Sequence, residues 1–110
     1  MRLIESQTEL EQLVSENRMT LLYFGSDSCG VCQALKPKIE DLLLGYPKIA
    51  SGRIDTAKSL ELAAKHSVFT IPVVLIFAEG KELIREARHI SLRELTAKIE
   101  RYYDLVFNDQ

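Results

Sequence analysis

The chain has 110 residues, with 14 Lys and Arg against 16 Asp and Glu, 46% hydrophobic residues, two cysteines and no tryptophan. A chain of this length buries roughly two-thirds of its unfolded surface in one core, so it needs neither a disulfide framework nor a structural metal to fold. Its formal net charge of -2 supplies no broad field for phosphate backbones or anionic lipid, which sets nucleic-acid and membrane-surface functions aside.

Residues 1–9 carry one basic residue and then acids and amides, where a secretion signal would place an apolar stretch. The most apolar segment, residues 71–78, contains Pro72 and falls far short of the ~20 residues that a membrane span requires. The expectation is a cytoplasmic protein with no membrane segment. In a reducing compartment a lone pair of cysteines points to catalysis, redox sensing or metal binding before a permanent staple.

Arg2 to Ile4 is the candidate first strand. Ser6-x-x-Glu9 and Thr8-x-x-Glu11 both have capping-box spacing, and Leu10, Leu13 and Val14 follow on one face, which predicts a helix over residues 8–17. Residues 19–25 form an apolar, β-branched run without clean alternation, the pattern of a central strand buried on both faces. Gly25-Ser26-Asp27-Ser28 ends it with turn and N-cap formers. A helix over 29–44 follows, with Leu35, Ile39, Leu42 and Leu43 as its apolar stripe, Pro37 as a kink, and Gly45 with Pro47 as the stop.

Residues 49–55 read as a strand, 57–66 as a helix through Leu60, Ala63 and Ala64, and 72–77 as a strand dense in Val, Ile and Leu. Ala78-Glu79-Gly80-Lys81 is a turn signal before a strand over 82–87. Ser91-x-x-Glu94 opens a terminal helix that carries Leu92, Leu95, Ile99 and Tyr102 on one face and runs to Tyr103. This order predicts an α/β fold: one domain over residues 1–110, with a central mixed sheet of four to five strands and about four helices on both faces.

Cys29-Gly30-Val31-Cys32 places two thiols three apart at a helix start, directly after the predicted central strand. At i and i+3 they share a helix face and can close into a small-ring disulfide with little backbone movement. Cys29 lies among the unpaired N–H groups at the positive end of the helix dipole, which favours its thiolate and makes it the candidate nucleophile. Cys32, one turn in, suits the resolving thiol. A zinc site would need two further ligands, and His66 and His89 lack ligand spacing, so no metal is expected.

With these residues the chain resembles the thioredoxin family over nearly its whole length. The strand Leu21-Leu22-Tyr23-Phe24 leads into Cys29-Gly30-Val31-Cys32, similar to the family's Cys-Gly-Pro-Cys, and Pro37 matches its helix proline. Ile54-Asp55 looks like the end of its next strand, and Thr70-Ile71-Pro72 precedes the strand Val73 to Phe77 as the family's cis-proline loop does. The resemblance implies a thioredoxin-like fold, a cis bond before Pro72, and a Thr70–Ile71 backbone that pairs with an extended substrate segment. It implies a protein-disulfide reductase working through a Cys29/Cys32 cycle for electron transport, without a bound cofactor. Its partners would be disulfide-bearing clients and a thioredoxin-reductase-like flavoenzyme as electron donor, and a monomer is expected.

Several positions depart from the family pattern and are expected to tune the site. Ser28 replaces the tryptophan before the first cysteine, Val31 follows Gly30 in place of proline, and Tyr23 stands where the family has a buried acid. Ala87-Arg88-His89-Ile90 occupies the loop that usually contains a glycine. These departures motivate a competing reading: a thioredoxin-fold interaction module or redox sensor with little general reductase activity.

Overall fold

The structure is a computed structural model that describes residues 1–108. Its elements are β1 (Arg2–Leu3), α1 (Gln7–Ser15), β2 (Met19–Gly25), α2 (Gly30–Leu43), β3 (Ala50–Asp55), α3 (Leu60–Lys65), β4 (Val73–Ala78), β5 (Lys81–Ala87) and α4 (Leu92–Phe107). They form a five-stranded mixed sheet in the order β1-β3-β2-β4-β5. β1 and β2 run parallel to β3, while β4 pairs antiparallel with both β2 and β5. All seven residues of β2 are buried, as the unbroken apolar run requires of a central strand covered on both faces.

Alternation along β2 divides the interior in two. Met19, Leu21 and Tyr23 pack with Leu35 and Ile39 of α2 and Leu95 and Ile99 of α4. Leu22 and Phe24 pack on the opposite face with Leu10 and Leu13 of α1 and Leu62 and Ala63 of α3. Gly52 of β3 permits the second contact, since a Cβ there would lie 2.7 Å from Ile4 Cγ1 and 3.1 Å from Leu13 Cδ2.

Helix ends depart from the sequence expectation for identifiable reasons. Of the two capping boxes at α1, Ser6 is the cap: its hydroxyl accepts the Glu9 N–H at 3.1 Å, so the helix begins at Gln7 with Thr8 inside it, and it ends at Ser15. α3 begins at Leu60 and not at residue 57, because Asp55 ties the intervening residues into a turn. Its carbonyl accepts from Lys58 and Ser59, and its Oδ1 accepts from Ala57 N at 3.0 Å. From that start Leu62 and Ala63 face the core, whereas Ala64 is exposed and Leu60 is 72% exposed. α4 continues past Tyr103 to Phe107, where Val106 is buried, the Tyr103 and Phe107 rings lie 4.8 Å apart, and Arg18 and Lys48 sit over the Phe107 ring. The hairpin turn falls on the four residues that the sequence marks, and each strand runs one residue further into it. Glu79 and Gly80, both with positive φ, make a two-residue turn matched to strand twist, so β4 reaches Ala78 and β5 starts at Lys81.

His66, at the end of α3, ties three elements together. Its Nε2 is 3.0 Å from Gln7 Oε1, and its ring lies against Phe24 and, edge-on, Phe77. Burial first, and then the Arg85 guanidinium, push its pKa below the ordinary histidine value, while Glu82 and Glu11 pull the other way and Lys65 adds to the lowering. The unfolded chain therefore binds the proton more tightly. Stability contributed by neutral His66 should be full above about pH 6.5 and be lost as pH falls through the lower folded value. Denaturant midpoints measured from pH 7.5 downwards should fall less steeply for His66→Gln than for the parent protein, and equal slopes would remove His66 as the cause.

Candidate active site

β2 and β3 run in one direction and β4 in the other, so the C-terminal end of β2 lies beside the N-terminal end of β4. Phe24 pairs with Val73, and Val73 pairs in turn with Ala87 at the end of β5. This sheet end gathers the residues after Gly25, the proline before Val73 and the loop after Ala87.

The chain leaves β2 through a turn in which Cys29 N donates to Ser26 O at 3.2 Å. The Ser26 and Ser28 hydroxyls are 3.2 Å apart, and Gln33 Nε2 donates to Asp27 Oδ1 at 3.2 Å. Ser28 is thus part of an exposed polar turn and presents no apolar surface to a partner. Cys29 is the N-cap of α2, which begins one residue later than the sequence implied, and its sulfur accepts the Cys32 N–H at 3.2 Å. Cys29 Sγ and Cys32 Sγ are in bonding contact, with Cα atoms 5.2 Å apart. Cys29 is half-buried, while Cys32 is only 2% exposed. On reduction, the same N–H and the helix dipole favour negative charge on Cys29 over Cys32.

Cys32 is enclosed from behind by two residues. Gly25 provides room: a Cβ there would lie 3.1 Å from Cys32 Cβ and 3.3 Å from its Sγ. The sequence marks Gly25 only as a turn former, and nothing local announces that contact. Tyr23 is 3% exposed, and its hydroxyl donates to Cys32 O at 2.7 Å. Burial pushes the phenol pKa up to about 12, so the group stays protonated at neutral pH. A cavity of about 30 Å³ borders Tyr23, Gly25, Cys32, Lys36, Arg53 and Asp55, which is enough for about one water. Gly30 and Val31 lie on the outside. A Cβ at Gly30 would meet nothing, and Val31 is 61% exposed.

The Ile71–Pro72 peptide bond is cis. Pro72 is buried, and its carbonyl accepts the Arg88 N–H at 2.9 Å. Thr70 and Ile71 lie in a bend just before β4, and neither makes a backbone–backbone hydrogen bond among the described residues. Beside it runs a groove of about 520 Å³ lined by Leu60, Val68, Phe69 and Ile71, with Phe69 79% exposed. The sequence does not mark Phe69 and Leu60 as part of this rim. No group of three or more His, Cys, Asp or Glu side chains converges among the described residues, and no described helix is long and apolar enough to cross a membrane.

The family model described as Thioredoxin matches residues 2–101. The chain belongs to the thioredoxin family. It is 33% identical over 102 residues to the thioredoxin-like protein YdfQ of Bacillus subtilis, covering 93% of this chain and 91% of that protein. It is 27% identical to a thioredoxin of Mycoplasmoides gallisepticum, over 86% of this chain and 95% of the relative. Among solved structures, a mutant thioredoxin from Halobacterium salinarum superposes with a TM-score of 0.86 at 31% identity, covering 96% of this chain and 92% of the other. The five-stranded mixed sheet with four helices is thus a thioredoxin fold, and Cys29–Cys32 is the thioredoxin family's Cys-x-x-Cys pair.

Proposed function

We propose that the protein is a thiol–disulfide oxidoreductase that reduces protein disulfides through Cys29 and Cys32, its single domain acting as one unit. In the dithiol state the Cys29 thiolate attacks one sulfur of a client disulfide, and the other client sulfur leaves as a thiolate that takes up a proton. Cys32, having lost its proton, then attacks Cys29 Sγ in the mixed disulfide. The second client sulfur departs as a thiolate that takes up a proton in balance with the one Cys32 lost, and the Cys29–Cys32 bond closes. The client ends with two thiols, and the two electrons come from the protein's dithiol.

The observation that carries this reading is the asymmetry of the pair. Cys29 is a half-exposed N-cap whose sulfur receives an N–H, and Cys32 is buried one turn inside, within bonding reach. Thr70, Ile71 and Pro72 would hold an extended client segment beside Cys29, since the unpaired Thr70–Ile71 backbone can take an added strand. Gly30, Val31, Ser28 and Tyr23 tune the pair. No resident cofactor takes part. A second dithiol system, such as a thioredoxin-reductase-like flavoenzyme, restores the thiols, and the working compartment is the reducing cytoplasm.

The test is the reduction potential of Cys29/Cys32, read by equilibration in graded dithiol buffers and counting of alkylated thiols. Tyr23 is neutral where the family has a buried acid, so no charge there opposes a cysteine thiolate, and a stabilised thiolate makes the disulfide a stronger oxidant. The expected value lies above the ~-270 mV of thioredoxin and below the ~-180 mV of protein disulfide isomerase. A value at or below the lower bound would refute this effect of Tyr23, and a pair that never closes would refute the oxidoreductase.

A further inference from the structure

Among the described residues, three other than glycine have left-handed backbone: Ser67 (φ 57°), Glu79 (φ 51°) and Arg88 (φ 62°). Two have ordinary structural reasons. Ser67 is the residue after the α3 cap, where Val68 N donates to Ala63 O and Ser67 N to Ala64 O in a Schellman motif. Glu79 belongs to the two-residue hairpin turn. Arg88 caps no helix and turns no hairpin. It follows β5, and its N–H is bonded to Pro72 O at 2.9 Å, so its backbone is fixed against the cis-proline at the sheet end that carries the dithiol.

Its side chain differs from its cationic neighbours. Arg85 on the same strand is bound to Glu82 and to the His66 carbonyl, and Lys98 is paired with Glu86. Arg88 is exposed, and its guanidinium makes no hydrogen bond or ion pair among the described residues. Glycine is the residue such a backbone prefers. A strained residue at a functional site points to use of its side chain, and an unpaired guanidinium on a backbone tied to Pro72, next to the unpaired Thr70–Ile71 backbone, is suited to a carboxylate.

We propose that Arg88 is a specificity-determining residue that selects clients with an acidic residue next to the reactive cystine. The proposal rests on the reductase reading for the identity of the partner: the client segment pairs along Thr70–Ile71, and its carboxylate meets the Arg88 guanidinium across Pro72. Backbone pairing supplies affinity for any extended chain, and Arg88 supplies the discrimination.

Two peptides of equal length test it. Each is closed by one cystine flanked in one by Glu and in the other by Lys, and both are reduced by the protein under recycling by a small dithiol. The expected preference for the acidic peptide in kcat/KM is about three- to tenfold at low salt, shrinking as salt screens the pair. It should fall to about one in Arg88→Gly and persist in Arg88→Lys. A raised denaturant midpoint in Arg88→Gly shows that the variant is folded and relieved of strain. An unchanged preference in Arg88→Gly overturns the proposal. A parallel titration measures non-covalent binding of the same peptides, with serine for cysteine, to Cys29→Ser. If the parent protein reduces neither peptide, the oxidoreductase reading fails and binding alone decides: loss of the acidic preference on Arg88→Gly supports the proposal, and no preference overturns it.

Discussion

Cys29→Ser is expected to bring disulfide reduction down to the rate of the recycling dithiol alone, while Cys32→Ser retains the first attack and accumulates a covalent complex with the client. The two effects differ because the cysteines differ in place. Cys29 is half-exposed at the helix N-terminus, where it meets the client disulfide, and a serine hydroxyl has no anionic population there near neutral pH. Cys32 is 2% exposed and its sulfur lies in bonding contact with that of Cys29, so its loss leaves the mixed disulfide without an internal attacker. The double variant should be no slower than Cys29→Ser, as expected of residues that act in series. Folding separates the two as well. Serine is a favoured N-cap and can accept the Cys32 N–H that Cys29 accepts. A serine at position 32 buries a hydroxyl, at a cost of about 1–3 kcal/mol if it finds no partner. Turnover assays, urea unfolding, and electrophoresis without reductant under alkylating conditions read these outcomes. Full reduction by Cys29→Ser would end the mechanism. Absence of any trapped client with Cys32→Ser, alongside partner binding that survives Cys29→Ser, would favour an interaction module.

What the sequence revealed and what it concealed follow from the range of the forces involved. The buried run 19–25, the Cys29–Cys32 spacing and the Ser91 cap are local patterns, and each appears in the structure where the sequence marks it. The start of α3 was not visible because it depends on Asp55 spending its side chain on Ala57 N, a choice with no signature in a helix-forming stretch. The last turn of α4 depends on Phe107 meeting Arg18 and Lys48, contacts that form only when distant segments are brought together. The dithiol's surroundings divide in the same way. Cys29, Cys32 and Pro72 belong to motifs, whereas the space left by Gly25, the exposed Phe69 rim and the left-handed backbone of Arg88 arise from the sheet register that brings the ends of β2, β4 and β5 side by side.

Tyr23→Asp should pull stability and chemistry in opposite directions, and Tyr23→Phe should change both only slightly. The Tyr23 ring belongs to the core that Leu35, Ile39 and Val74 share. Deleting an aromatic ring of this size from a core costs about 3–5 kcal/mol, and a buried carboxylate adds a desolvation penalty, against a total stability of ~5–15 kcal/mol for a small domain. The Asp variant should therefore unfold at much lower urea. It would also place a base beside Cys32, where the native phenol, held near a pKa of about 12 by burial, cannot take a proton at neutral pH. Resolution of a preformed mixed disulfide should then be faster in Tyr23→Asp and less dependent on pH on the acid side of the thiol range. Phenylalanine removes only the hydroxyl's bond to Cys32 O, worth about 0.5–1.5 kcal/mol. Because the folded phenol titrates above its unfolded value of ~10, folding stability should decline as pH rises from about 10 to about 12. Tyr23→Phe should lose that alkaline decline. Single-turnover resolution rates decide the role of the hydroxyl. A rate within about twofold of the parent in Tyr23→Phe leaves Tyr23 as a positioning residue for α2, whereas a drop of about tenfold, or ~1.4 kcal/mol in the barrier, would place its hydroxyl in the proton path of Cys32.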